Sequence, residues 1–216
     1  MNRPTNRLLA QLEPTDLAQI LALSQPVALQ AGQVLSSPSQ PRPWVYFPEN
    51  ATVVSLVDTP GPGQLAVALT GHEGAVGLSY ALGLGPGNQR LEVLTPGQAL
   101  RLPAHALATL MDQRPGLVLA LMRDLWRLHS DTLALLGRLS ALDIPDRLAL
   151  WLSQLAERAG SPVLPLTQLQ LASLLGVRRV SVTLALQRLR EAGLISSQRG
   201  QITVLDPRAL AARVPR

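Results

Sequence analysis

The residues best suited to chemistry lie close together between Val177 and Arg190. This segment, VRRVSVTLALQRLR, interleaves four arginines with hydroxyl and amide side chains. A guanidinium can donate to guanine O6 and N7 at once, and hydroxyls, amides and further arginines can hold phosphates. If the segment is one helix, these residue types predict a surface that contacts double-stranded DNA. The alternative is a solvated helix face.

The elements that must position these residues are two short helices and a β-hairpin. Thr167 is a good N-cap for the first helix, and Gly176 fits the tight turn of a helix-turn-helix. The second helix should end near Gly193, and a hairpin should follow with its turn at Arg199 and Gly200. The predicted buried residues are Leu169, Leu171, Ala172, Leu174, Leu175, Val182, Ala185, Leu186 and Leu189. Together these elements predict a winged helix, whose second helix fits the major groove.

The distribution of charge agrees with this prediction. Residues 143–216 contain ten arginines against five acidic residues, whereas residues 1–142 contain nine of each. The whole net charge of +5 therefore falls in the last third of the chain. Such asymmetry indicates a polyanionic partner, and a solvated basic surface is the alternative.

The first half of the chain has a different pattern. Two short helices are predicted from Thr5 to Ala22, interrupted at Pro14, with Thr15 and Asp16 available to cap the second. From Pro26 to Leu102, short apolar runs alternate with Pro/Gly clusters such as TPGPG and LGPGN. This alternation predicts about eight strands in a β-sandwich or small roll.

A long helix is predicted after Pro115, with two apolar stripes at the heptad spacing of a coiled coil. The first stripe, the leucine seam, consists of Leu117, Leu121, Leu125, Leu128, Thr132, Leu135, Leu139 and Leu142. The second stripe consists of Leu119, Met122, Trp126, His129, Leu133 and Leu136. One stripe could pack on the β-roll and the other on a second copy of the helix. Because the leucine seam is so regular, we expect it to form the dimer contact, rather than a helix wrapped entirely by its own domain.

The long helix should end at the sequence LDIP. Asp143 can cap the next helix, with Pro145 at an early position and Gly160 as its end. Ser161 to Pro165 is expected to be a linker that leads to the winged helix.

Several motifs resemble those of one family. LPLTQ, LASLLGVRRVSVTLALQRLREAGLI and RGQITVLD resemble the winged helix of the Crp/Fnr transcription regulators, the cyclic-AMP receptor protein family, over about Asp143 to Leu210. VYFPEN, GHEGAVGL and ALRLP resemble, more weakly, the β-roll of its effector domain. The resemblance implies an α+β protein with a cyclic-nucleotide-binding-like β jelly roll, a long dimerisation helix and paired winged helices on a palindromic DNA site.

We therefore expect three domains and three partners. The domains are an effector-sensing β-roll with N-terminal helices over residues 1–114, a dimerisation helix over 115–142 and a winged helix-turn-helix DNA-binding domain over 143–216. The implied partners are double-stranded DNA, a second copy of the chain and RNA polymerase. The expected function is sequence-specific transcription regulation without enzymatic activity.

The resemblance also implies roles for individual residues. In the cyclic-AMP receptor the recognition helix begins with Arg-Glu and has a second arginine one turn later. Arg179 occupies the first arginine position here, Val180 replaces the glutamate and Leu184 falls at the second arginine. We expect Arg179 to read guanine, and Val180 could contact a thymine methyl. The expected base-contacting residues are Arg179, Val180, Ser181 and Thr183. The expected phosphate-contacting residues are Thr167, Gln168, Arg178, Gln187, Arg188 and Arg199.

The expected effector pocket departs from the family pattern. Cyclic-nucleotide binders of the family use a Gly-Glu pair for the ribose and an Arg-Ser or Arg-Thr pair for the phosphate. Gly77 matches the glycine, but Leu78 stands where the glutamate should be, and the Arg-Ser pair falls near Gly87. Arg90 is close to that position, and Thr132 matches a threonine that faces the base. We expect Gly77, Leu78, Arg90 and Thr132 around a pocket with no cofactor and no dependence on cyclic AMP. A cyclic-nucleotide-dependent regulator is the alternative.

Other classes of protein fit the sequence less well. The chain has no cysteine, which excludes disulfides, thiolate zinc sites and cysteine-ligated iron–sulfur clusters. His72, His105 and His129 are far apart, so no metal is expected. A jelly-roll enzyme would need partners for the His-Glu pair of GHEG, and an architectural protein would coat DNA without sequence preference. No signal peptide or apolar span is apparent, so no membrane partner is expected and the expected location is the cytoplasm.

Overall fold

The computed structural model describes residues 4–59 and 64–213, with the side chains of Leu139 and Ser140 outside the description. The chain divides into two compact units. One unit comprises Met1–Ser55 and Ala68–Thr132, and the other comprises Leu56–Val67 and Leu133–Arg216.

Two short helices come first, as predicted. Helix α1 spans Arg7–Ala10 and helix α2 spans Pro14–Leu23. The predicted caps of α2 are wrong, because the helix already begins at Pro14 and its N-cap is Glu13, which makes no side-chain cap bond. Asp16 is instead buried and accepts a hydrogen bond from Arg114 Nε at 2.6 Å.

Seven strands form the β-rich part of the chain within the described residues, one fewer than expected. They are β1 (Gln25–Leu29), β2 (Val34–Ser36), β3 (Trp44–Pro48), β4 (Thr52–Asp58), β5 (Gln64–Thr70), β6 (Gln89–Thr95) and β7 (Gly97–Pro103). Between β5 and β6 lies the short helix α3 (Leu78–Ala81). One sheet has the strand order β1-β7-β3 and the other has the order β2-β6-β4-β5. The two sheets supply the β-roll that the sequence predicted.

The helices after the β-roll complete its core. Helix α4 spans Ala104–Gln113, and the long helix α5 spans Pro115–Ala141. Leu107 of α4 and Leu117 and Leu121 of α5 are buried in one cluster with Val45, Phe47, Leu78 and Leu102. The core is thus built from aliphatic side chains around the chain's single phenylalanine.

The prediction of which α5 stripe forms the exposed contact surface is wrong. In the leucine seam, Leu117, Leu121, Leu135 and Leu142 are buried within the single chain. Leu125, Leu128 and Thr132 are half-buried, and the side chain of Leu139 lies outside the described residues. The second stripe is the exposed one and includes Trp126, which is 70% exposed. Both stripes have the same heptad spacing, so the spacing alone could not tell which of them packs on the β-roll.

A buried carboxylate ties α5 to the loop before α3. Asp124 accepts a hydrogen bond from Arg127 Nη2 at 2.7 Å and a longer one from the Ala75 amide at 3.4 Å. Burial raises the pKa of the Asp124 carboxyl above its usual range, and the hydrogen bond from Arg127 only partly offsets this. A Cβ on Gly74 would lie 2.7 Å from Arg127 Nη2, so the ion pair and the loop fit closely.

The C-terminal part begins with a helix that the sequence predicted well. Helix α6 spans Ile144–Ala159. Asp143 caps it by accepting from the Asp146 amide at 2.9 Å, and Gly160 ends it in the left-handed conformation at φ 59°. The expected linker contains a strand, β8 (Val163–Leu164), which pairs with a strand of the later hairpin.

The remaining elements form the predicted winged helix. They are α7 (Gln168–Leu175), α8 (Arg179–Glu191), β9 (Ile195–Gln198), β10 (Gln201–Val204) and α9 (Pro207–Ala212). The sheet order is β8-β10-β9. Within the described ranges no single helix has the length and apolar character to cross a membrane, and the bent pair of α7 and α8 passes by length and composition only.

Candidate nucleic-acid interface and effector pocket

Local signals in the sequence determine the geometry of the helix-turn-helix. Thr167 Oγ1 accepts from the Gln170 amide at 3.2 Å, and Gln170 Oε1 accepts from the Thr167 amide at 2.9 Å, which together form a capping box. Gly176 then takes the left-handed conformation at φ 63° and ends α7. The axes of α7 and α8 differ by 102°, within the range typical of a helix-turn-helix.

One face of α8 is buried through apolar residues. The predicted buried residues Val182, Ala185, Leu186 and Leu189 are all buried. In α7 the prediction fails at Leu169, which is 71% exposed. Leu169 lies two residues before the buried Leu171 and therefore about 200° around the helix from it.

The opposite face of α8 presents most of the expected DNA-contacting residues. Arg178, Arg179, Val180, Thr183, Gln187 and Arg188 are exposed, and Ser181 is half-buried. No side chain caps the first turn of α8. The helix therefore offers its N-terminal residues to a partner without rearrangement of a cap.

Gln168 connects the start of α7 to the start of α8. Its Oε1 accepts from Arg179 Nε at 3.1 Å and lies 3.4 Å from Thr183 Oγ1. Thr183 Oγ1 is also 3.2 Å from the carbonyl oxygen of Arg179. The bond from Arg179 uses Nε, so its two terminal nitrogens suit a bidentate contact with guanine.

A cleft of about 820 Å³ lies between the start of α7, helix α8 and the β9–β10 hairpin. Its lining residues are Leu166, Thr167, Gln168, Leu169, Arg179, Leu186, Arg190, Ser197, Gln198, Arg199, Gly200 and Ile202. The cleft brings together Arg179, Gln168 and Arg199, which the sequence had assigned to one surface. It also contains Arg190, which the sequence placed in the same segment but to which it assigned no individual contact. Arg190 is eleven residues after Arg179, just over three full turns, so helical spacing could have identified it.

Three of the expected phosphate contacts do not line this cleft. Arg188 Nη1 lies 4.0 Å from the Asp143 carboxylate, and Gln187 Nε2 donates to Glu191 Oε1 at 2.8 Å. Arg178 is exposed at the N-cap of α8. Their roles at phosphates stay predictions, as does that of Thr167, whose hydroxyl already serves the capping box.

A second cavity, of about 180 Å³, lies in the β-roll. Its lining residues are Ser36, Ser55, Thr70, Ala75, Val76, Gly77, Leu78, Ser79, Tyr80, Pro86, Gly87, Gln89, Leu91, Leu125 and Leu128. None of these described residues is charged. The Ser36 and Tyr80 hydroxyls are hydrogen-bonded to each other, and Thr70 Oγ1 is buried without a partner.

The structure places only two of the four expected effector residues at this cavity. Gly77 and Leu78 line it. Arg90 does not line it and instead pairs with Glu92, Nη2 to Oε2, at 2.8 Å. Thr132 does not line it either, and its hydroxyl donates to the Leu128 carbonyl at 2.9 Å. The grouping of Arg90 and Thr132 with Gly77 is therefore wrong, because each side chain is engaged locally.

Close packing accounts for glycine at position 77. The residue has φ 85°, and a Cβ there would lie 2.3 Å from the Trp44 carbonyl oxygen. The same loop pairs with β3, since the amides of Tyr46 and Val76 each donate to the other's carbonyl at 3.0 Å. Gly77 is thus required by the backbone arrangement, whatever the cavity binds.

Hydrogen bonds to backbone groups hold the GHEG segment. The Arg7 amide donates to the His72 carbonyl at 2.6 Å, Asn6 Nδ2 donates to the Gly74 carbonyl at 2.9 Å, and Glu73 Oε1 accepts from the Gly71 amide at 3.1 Å. In the part of the chain that the structure describes, no group of three or more histidine or acidic residues is placed to hold a metal ion. The segment thus has a structural part in the loop.

Known proteins resemble this chain at both the domain and the whole-chain level. Residues 146–213 match the family described as the Crp-like helix-turn-helix domain. The chain is 26% identical over 209 residues to a CRP-like cAMP-activated global transcriptional regulator of Mycobacterium tuberculosis, and the match covers 94% of this chain and 93% of that protein.

Solved structures share the fold over most of the chain. The c-di-GMP responsive global regulator CLP of Xanthomonas campestris superposes with a TM-score of 0.71 at 18% identity, over 90% of this chain and 100% of that one. A CRP/FNR-family transcriptional regulator of Thermus thermophilus gives a TM-score of 0.69 at 23% identity, over 88% and 98% of the two chains. At these identities the likeness shows the fold alone.

The packing of Gly77 gives a prediction about stability. Gly77→Ala should lower the free energy of unfolding by about 2–4 kcal/mol, because the new methyl meets a backbone carbonyl and the residue must keep a positive φ. Gly87→Ala is the matched control, with φ 62° and open space around its Cβ, and should cost only about 1 kcal/mol. Urea denaturation followed by circular dichroism measures both. Equal losses would contradict the packing explanation.

Proposed function

We propose that this chain, whose residues 146–213 match the Crp-like helix-turn-helix domain, is a transcription regulator of the Crp/Fnr family that binds a palindromic DNA site as a homodimer without needing cyclic AMP. The observation that carries the proposal is the cleft that Arg179, Arg190 and Arg199 all line. Regulators of this type bind DNA and are not enzymes, and we extend this to the present chain.

In this proposal α8 enters the major groove and Arg179 reads guanine. Gln168 holds the Arg179 guanidinium by Nε, which reduces its freedom before binding and favours one orientation. Arg190, Arg199 and Gln168 contact phosphates along the cleft, and the excess of arginine over acidic residues in this part of the chain attracts the polyanion. Ser181 and Thr183 contribute hydroxyl contacts from the same helix.

The second α5 stripe is the dimer contact in this proposal. Leu119, Met122, Trp126, Leu133 and Leu136 are exposed apolar side chains at heptad spacing on one helix. A second copy of α5 presents the same stripe, so the contact is self-complementary, as a two-fold interface requires. Two such subunits would place their α8 helices on half-sites about one DNA turn apart, near 34–36 Å.

The lining of the β-roll cavity supports the proposed independence from cyclic AMP. A phosphate charge that leaves water needs a guanidinium or a cluster of amides, and the described lining residues include no arginine. Arg90 is paired with Glu92. The Mycobacterium tuberculosis relative is described as cAMP-activated and the Xanthomonas campestris protein as c-di-GMP responsive. We propose that the present chain is regulated differently from both.

Two further features belong to the proposal. RNA polymerase is the partner through which a bound dimer would change transcription. The cytoplasm is the compartment in which the dimer would meet DNA and the polymerase. Both follow from the family, and the first is open to a direct test of polymerase recruitment on the selected DNA site.

Selection of bound duplexes from a random pool, with and without cyclic AMP, tests the proposal. We expect the same palindrome to be enriched equally in both arms. Enrichment only with cyclic AMP would show that the cavity holds the nucleotide by other groups. Binding without any enriched sequence would support an architectural protein that coats DNA.

Arginine substitutions separate base reading from phosphate contact. Arg179→Ala should cost about 1–3 kcal/mol of binding on the selected site and relax the preference at one base pair. Arg190→Ala and Arg199→Ala should instead weaken binding to all sequences and reduce the slope of log K against log salt by about one each.

Fluorescence anisotropy titrations at several salt concentrations measure these effects. Arg208→Ala is the matched control, since Arg208 is an exposed arginine of α9 that does not line the cleft. An equal loss for Arg179→Ala on every sequence would make this residue a phosphate contact.

A charge on the second α5 stripe should disrupt the dimer. Trp126→Glu is expected to weaken self-association at least about tenfold, because it removes a large apolar side chain from the centre of the contact. Leu84→Glu is the control, since Leu84 is 72% exposed but lies outside α5. Sedimentation velocity measures both, and a Trp126→Glu protein that remains fully dimeric would refute this assignment of the contact.

A further inference from the structure

Two apolar side chains on α8 have no role in the core. Val180 is 70% exposed and Leu184 is 57% exposed. The buried face of the same helix is already complete with Val182, Ala185, Leu186 and Leu189. Single exposed apolar residues are ordinary on protein surfaces, but these two lie on the helix that carries Arg179.

The two side chains form one patch because of their spacing. Residues four apart on a helix lie one above the other, with Cβ atoms about 5–6 Å apart. Arg179 and Thr183 form the neighbouring row at the same spacing and are linked to each other through Thr183 Oγ1 and the Arg179 carbonyl. An apolar row thus runs directly beside a polar row on the exposed part of α8.

Few groups in the major groove are favourable contacts for the apolar row of Val180 and Leu184. Each base edge there offers hydrogen-bond donors or acceptors, except for the C5 methyl of thymine, which is apolar. Valine and leucine side chains have neither a donor nor an acceptor. Against an amino group or a carbonyl they would remove water without replacing its hydrogen bond, which is unfavourable. Against a methyl they bury apolar surface, which is favourable.

We propose that Val180 and Leu184 form a methyl-reading pair, which selects thymine beside the guanine read by Arg179 and accepts 5-methylcytosine in the same place. This inference rests on the proposed function, since it requires α8 to lie in the major groove. The side chains are separated by about 6 Å along the helix, which is a little less than two base-pair steps. The pair therefore covers methyls on neighbouring or next-neighbouring base pairs.

The chemistry of the pair has a consequence for regulation. 5-Methylcytosine carries its methyl at the same ring position as thymine and differs in having an amino group where thymine has a carbonyl. Neither Val180 nor Leu184 can hydrogen-bond with either group. Methylation of a cytosine at this position of the site therefore strengthens binding, so the regulator responds to the methylation state of its DNA.

The test uses the DNA site obtained by selection, with single bases changed. Each thymine is replaced in turn by deoxyuridine, which removes only the C5 methyl. At one or two positions of each half-site we expect Kd to rise about three- to fivefold, the effect of one buried methyl group. At the same positions, cytosine is compared with 5-methylcytosine, and the methylated base should bind more tightly by a similar factor.

Protein variants assign the effect to the pair. In Val180→Ala and Leu184→Ala the sensitivity to deoxyuridine should disappear at the position that each residue contacts. Both residues are exposed, so these variants should fold, and their circular dichroism and melting confirm it. Leu205→Ala is the control, since it shortens an equally exposed leucine that does not line the cleft and should keep the full sensitivity.

The outcomes separate this inference from the proposed function. A selected palindrome whose binding ignores every deoxyuridine substitution overturns the methyl-reading pair and leaves the proposed function standing. Sensitivity that persists unchanged in both alanine variants also overturns it. Failure of the wild-type protein to select any sequence overturns the proposed function and this inference together.

Discussion

Helix α5 has apolar side chains on two faces, and a single chain buries only one of them. Leu117 and Leu121 belong to the core of the β-roll, and Leu125 and Leu128 form one wall of its cavity. The β-roll cannot be complete without this face of the helix, so it is not available for another partner. The face that carries Trp126 is left exposed, and a second chain can cover it.

The candidate DNA surface depends on α8 having one buried face and one exposed face. Its buried stripe holds the helix against the rest of the winged helix, and the capping box and Gly176 set where α7 begins and ends. Gln168 then links the two helices through Arg179, so the residue expected to read guanine is oriented by a side chain of the preceding helix. Specific recognition requires such orientation, because a freely moving arginine would contact any phosphate nearby.

The sequence predicted the elements that depend on local chemistry. Asp143, Thr167, Gly160 and Gly176 act where they were expected, because capping and left-handed turns involve residues only a few positions apart. The winged helix followed from such signals together with the buried stripe of α8, and the family resemblance came from motifs such as LPLTQ and RGQITVLD. The function class could therefore be stated before the structure was known.

Several of the errors concern contacts between segments, which spacing within one segment does not reveal, whereas the errors at Leu169 and at the caps of α2 are local. The two stripes of α5 look alike until the β-roll selects one, and β8 is a strand only because β10 pairs with it. Arg90 fitted the expected pocket by position, but Glu92 on the same strand engages it. Arg190 lines the cleft because the β9–β10 hairpin lies beside that face of α8.

The three tryptophans of the chain lie in three different environments, which gives the molecule a built-in optical reporter. Trp151 of α6 is fully buried, and Trp44 of β3 is half-buried with the Arg101 guanidinium 4.5 Å from its ring. Trp126 alone is largely in water. Its emission should therefore be the most red-shifted and the most readily quenched by a soluble collisional agent. Anything that covers this part of α5 changes the signal of Trp126, while the indole of Trp151 changes only when its own unit unfolds.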